Sequence, residues 1–68
     1  MKVRDVIRTL KTHGFRRERQ SGGHRQFEGI IGGKRRLVTV PGKYGDDVPK
    51  GTLASIRRQS GLPSRSFR

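Results

Sequence analysis

Residues 20–27 read Gln20-Ser21-Gly22-Gly23-His24-Arg25-Gln26-Phe27. Consecutive glycines supply the positive φ that a tight hairpin needs. Ser21-Gly22-Gly23 therefore predicts a turn between a charged strand over Phe15 to Gln20 and a second strand from about His24 to Glu28. Side chains alternate along a strand. With Phe27 facing a core, Arg25 shares its side, while His24, Gln26 and Glu28 point to the opposite, open face. An imidazole held there at the exit of a turn can exchange a proton near neutral pH.

Working outward, Val3, Val6, Ile7 and Leu10 fall at i, i+3, i+4, i+7, the stripe of an amphipathic helix from Lys2 to His13, with Gly14 suited to its C-terminal cap. His13, in the last turn, fits the negative end of that helix's dipole. Gly29 to Gly33 reads as a loose connection, and Arg36 to Val40 as a strand ended by Pro41. A polar loop over 42–49 holds the paired acids Asp46 and Asp47. A second helix spans Lys50 to Ser60, with Gly51 or Thr52 near its start and Leu53 and Ile56 inward; Gly61 caps it and Leu62 folds back. Residues 1–62 form one domain, and 63–68 a basic, frayed tail. The order is α-β-β-β-α, an α+β fold: a three-stranded antiparallel sheet with two helices on one face and the other face open.

The chain has 68 residues, with 17 Lys plus Arg against 5 Asp plus Glu and a formal net charge of +12. Such a charge attracts nucleic acid or an anionic surface. Low hydrophobicity with high charge is also a signature of disorder, but the periodic apolar positions and clean turn signals favour a folded domain. There is no cysteine, which excludes a disulfide framework, a thiolate nucleophile and a Cys-based zinc site. Adjacent Asp46 and Asp47 diverge in an extended loop with no further carboxylate nearby in sequence, so neither a metal site nor a cofactor is expected. No apolar run is long enough for a signal peptide or a membrane span, and a cytoplasmic protein with no membrane partner is the expectation.

Three stretches, in this order, resemble the HicA family of toxin endoribonucleases from bacterial toxin–antitoxin pairs. They are the opening helix into Gly14-Phe15, the 20–27 stretch, which is similar to the family's Gly-Ser-His-x-x-Phe/Tyr turn, and Val38-Thr39-Val40-Pro41 followed by Val48-Pro49-Lys50-Gly51-Thr52-Leu53, Ile56 and Gln59-Ser60-Gly61-Leu62. The likeness runs over about residues 2–62. It implies a fold like the double-stranded-RNA-binding domain, cleavage of mRNA that inhibits translation, the turn histidine, here His24, as catalytic residue, and a HicB-type antitoxin as neutralising partner. Gly23 stands where many members carry Ser. Gly42-Lys43 stands where many carry a second histidine, so a two-histidine mechanism is not expected here.

RNA carries its own nucleophile, the 2′-hydroxyl. An enzyme must remove that proton, hold the geometry in line and stabilise charge gathering on the phosphate. His24 as general base or acid suits the first task without a metal. Candidate cations for the phosphate are Arg17 and Arg19 on the first strand, Arg25 beside His24, and Arg36 in the Lys34-Arg35-Arg36 run. Lys2 and Lys50 stand near helix N-termini, where free N–H groups favour anions. Most of the cations must be a general RNA-attracting surface. Two readings compete: a non-catalytic RNA-binding module of the same fold, and a DNA- or ribosome-associated structural protein for which charge alone suffices.

Overall fold

The computed structural model describes residues 1–67, Ser21 by its main chain. Helix α1 (Val3–Thr12) buries the stripe Val3, Val6, Ile7 and Leu10, and Lys2 and His13 serve as its caps. Strands β1 (Arg16–Ser21), β2 (His24–Ile31) and β3 (Lys34–Pro41) form one antiparallel sheet in the order β1-β2-β3. Helix α2 (Lys50–Ser60) follows and ends at Gly61, whose φ of 70° gives the left-handed C-cap. The α-β-β-β-α order is thus present, with Phe27, Val38 and Val40 of the sheet packed in one core with α1, Ile56 of α2 and Leu62.

The sequence reading is corrected at Gly29 to Gly33. This segment is not a loose connection: β2 and β3 run on to Ile31 and Lys34, which pair across a two-residue Gly32-Gly33 turn. Both turn glycines have positive φ, 62° and 77°, the conformation that matches the twist of a two-residue hairpin. Gly29 lies within the strand for a different reason. The Phe15 ring covers it so closely that a Cβ would stand 2.8 Å from ring carbons; glycine here permits close packing rather than a turn.

The expected frayed tail is also corrected. Ser64–Phe67 forms a short 3-10 helix beside α1, and Phe67 is only 3% exposed within the core. Phe67 supplies the apolar area that anchors an otherwise polar segment; Arg68 lies outside the described residues. In a small domain one such ring matters, because total stability is roughly 5–15 kcal/mol. Phe67→Ala is expected to cost about 3 kcal/mol, read as a lowered urea midpoint. An unchanged midpoint would show that residues 64–67 do not contribute to the fold.

Candidate nucleic-acid interface

Burial along β2 alternates, with Arg25, Phe27 and Gly29 buried toward the helices and His24 exposed on the other side. The register completes the open face: His24 opposes Pro41, Gln26 opposes Thr39, and Glu28 opposes Leu37 on β3. On β1, Arg19 opposes Gln26 and Arg16 opposes Glu28. A shallow cleft of about 170 Å³ lies at the His24 end, bordered by Arg19, His24, Arg25, Gln26 and Thr39. The Thr39 amide donates to Gln59 Oε1 at 3.0 Å, so α2 caps the sheet edge beside this cleft.

Arg19 reaches the cleft through a feature the sequence reading missed. The β1–β2 register shifts between Arg17 and Arg19, leaving Glu18 as the extra residue of a β-bulge. Strict alternation would put Arg17 and Arg19 on one face. The bulge instead leaves Arg17 in the row of Phe27, where it donates to Gln20 Oε1 at 3.1 Å, and turns Arg19 into the row of Gln26. Arg17 and Arg19 therefore do not act together.

Of the four other expected cations, three are held by contacts within the fold and the fourth, Lys50, lies away from the cleft. Arg25 borders the cleft but is 8% exposed; its Nη1 donates to the Gly42 carbonyl at 2.6 Å and its guanidinium lies 4.3 Å from the Tyr44 ring centroid. Arg36 opposes Gly29 on the helix-covered side, and its guanidinium packs on Gly61 at the C-terminus of α2, where a cation complements the helix dipole. Burial on the core side of the sheet thus separates Arg36 from His24. Lys2 pairs with Asp47 at 3.2 Å. The first amides of α1 are not free for an anion either: Val3 N–H donates to the Asp46 carbonyl, Arg4 N–H to the Tyr44 carbonyl and Asp5 N–H to the Lys2 carbonyl. Lys50 is exposed at the start of α2, and neither Lys2 nor Lys50 borders the cleft. His13 folds onto its own helix, with Nδ1 2.9 Å from the Thr9 carbonyl.

Farther along the open face the charge changes. Arg35 bridges Glu28 at 2.5 Å and Glu18 at 3.4 Å, and across the strands from this cluster Leu37, opposite Glu28, and Ile30, opposite Arg35, are exposed. Among the described residues no three His, Asp or Glu side chains converge as a metal site, and no helix is long and apolar enough to cross a membrane.

The protein is thus a small α+β domain that covers one sheet face with helices and presents a histidine and an arginine on the other. Residues 3–62 match the family model described as the HicA toxin of bacterial toxin–antitoxin, and the chain belongs to that family. It is accordingly a toxin of a toxin–antitoxin system. No curated protein matches the sequence significantly.

The two arginines that border the cleft should separate experimentally. Arg25→Lys loses the ring contact and the fork geometry and is expected to cost about 1–3 kcal/mol of stability, leaving the salt dependence of single-stranded RNA binding unchanged. Arg19→Gln is expected to change stability by less than about 0.5 kcal/mol and to lower the slope of log affinity against log salt by about 0.7. Urea unfolding and RNA anisotropy titrations at several salt concentrations check both.

Proposed function

We propose that this toxin is an endoribonuclease that cleaves mRNA without a metal, using His24 as general base or acid. The observation that carries this reading is the exposed His24 side chain sharing one cleft with Arg19. In the proposed step the imidazole takes the 2′-hydroxyl proton as that oxygen attacks the adjacent phosphorus. The bond to the 5′-oxygen breaks in line, and the departing oxygen is protonated by the imidazolium or by water. The products are a 2′,3′-cyclic phosphate and a 5′-hydroxyl. Arg19, with N–H donors toward the non-bridging oxygens, stabilises charge that grows in the transition state.

The same face suits control by a HicB-type antitoxin. A chain of net charge +12 attracts an acidic partner rapidly by electrostatic steering, and a partner seated over the His24 cleft blocks RNA and proton transfer together. On this reading the toxin inhibits translation until the antitoxin covers its cleft.

The test compares the wild-type protein with His24→Ala on end-labelled single-stranded RNA in EDTA, scoring cutting and binding together. Cleavage is expected to fall by roughly 10²–10⁴, with affinity held within about twofold and wild-type products ending in cyclic phosphate. Equal behaviour of the two proteins would remove His24 from the mechanism, and binding without cutting in both would favour the non-catalytic module. A 5′-phosphate product would make water the nucleophile.

A further inference from the structure

Three of the four aromatic rings, Phe15, Phe27 and Phe67, are core. Tyr44 is the exception, 49% exposed on the loop that follows β3. An exposed ring on a polar loop has no part in the core, yet this one is held in place. Its ring packs against the Arg25 guanidinium at 4.3 Å, and that guanidinium is itself anchored on the Gly42 carbonyl. The Tyr44 carbonyl accepts the Arg4 amide, and Lys43 N–H donates to Asp46 Oδ2 at 3.0 Å. Finally, Gly42 N–H donates to the Gly23 carbonyl at 3.0 Å, tying this loop to the turn that carries His24. Arg25, the chain neighbour of His24, thus joins the exposed ring to the candidate catalytic residue by a rigid path.

We propose that Tyr44 is a nucleobase-stacking subsite, holding the base of a nucleotide adjacent to the scissile one; this rests on the ribonuclease reading above. Ring-on-base stacking needs an aromatic surface fixed in orientation, and a cation against the ring pre-organises it before RNA arrives. Because every base has a π-face, the subsite takes any base and fixes position along the strand. RNA on this protein then bends around the end of the sheet, with its reacting phosphate at His24 and Arg19 and a neighbouring base on Tyr44. Lys43, exposed next to the ring, stands ready for the phosphate of the stacked nucleotide.

Tyr44 is the single tyrosine in a chain without tryptophan, so the protein's tyrosine emission reports this ring alone, and a base stacked on it quenches that emission. The probe is a 2′-O-methyl RNA oligonucleotide, which binds without offering a nucleophile, and a set in which one abasic position is moved along the strand. Quenching is expected with the intact strand and is lost when the abasic position falls at the nucleotide stacked on Tyr44, a position identified against the cut site in the unmodified strand. Tyr44→Ala is expected to weaken binding about 5- to 100-fold, while Tyr44→Phe, which keeps the ring and the Arg25 contact, binds as wild type. Thermal unfolding of all three proteins separates a fold defect from a binding defect. If wild type cuts RNA but quenching ignores the abasic position, or Tyr44→Ala binds normally, the subsite is wrong and the ribonuclease reading stands. If wild type neither binds nor cuts RNA, both fail together.

Discussion

Burial of Phe27 decides the direction of every side chain on β2. The ring packs in one core with Val38 opposite it and with α1 behind, and a slip of one residue would carry it into solvent and bring His24 inward. The exposure of His24 is therefore not an independent feature. It follows from an apolar residue three positions away and from the antiparallel register on either side. The same constraint sends Arg25 beneath the sheet, where its charge must find partners away from water.

How the chain accommodates its charge follows from that placement. Taking a guanidinium out of water is costly unless its hydrogen-bonding and electrostatic needs are met. Arg25 meets them in part with the Gly42 carbonyl and the Tyr44 ring, and Arg36 in part by lying at the negative end of α2. Gly61 serves both ends of the second arrangement: its positive φ closes the helix, and a Cβ there would stand 2.8 Å from the Arg36 guanidinium. In each arginine Nε is buried without a hydrogen-bond partner among the described residues. These two cations brace the fold and are distinct in kind from the exposed ones.

The parts of the fold written in apolar periodicity were legible from the sequence. The stripe Val3, Val6, Ile7, Leu10 and the alternation through Phe27 gave both the first helix and the face of His24 without any contact information. Where the signal was glycine or charge, it was ambiguous. Gly29 and the Gly32-Gly33 pair look alike as letters, but one admits the Phe15 ring and the others make a turn, a difference set by tertiary packing. Arg16 to Gln20 has no apolar residue to mark a face, so the bulge at Glu18, and with it the separation of Arg17 from Arg19, left no trace in the pattern. Phe67 was hidden by its polar neighbours. The engagement of Arg36 with the end of α2 needed the register of β3, which the run Lys34-Arg35-Arg36 does not specify.

The bulge also determines how charge is distributed along the open face. It places Glu18 within reach of Arg35, and Glu28 holds the other side of that guanidinium. That cation, at the end of the face away from His24, is thereby neutralised by two acids, and its neighbours on the face, Leu37 and Ile30, are apolar and exposed. The carboxylates of Glu18 and Glu28 oppose an anion there, while exposed Arg16, opposite Glu28, favours one. At the other end Arg19 stands clear of acids in the cleft with His24. One extra residue in β1 therefore both brings a cation beside the histidine and sets an acid against Arg35, at opposite ends of a face whose hairpin end is fixed by the Gly42–Gly23 tie.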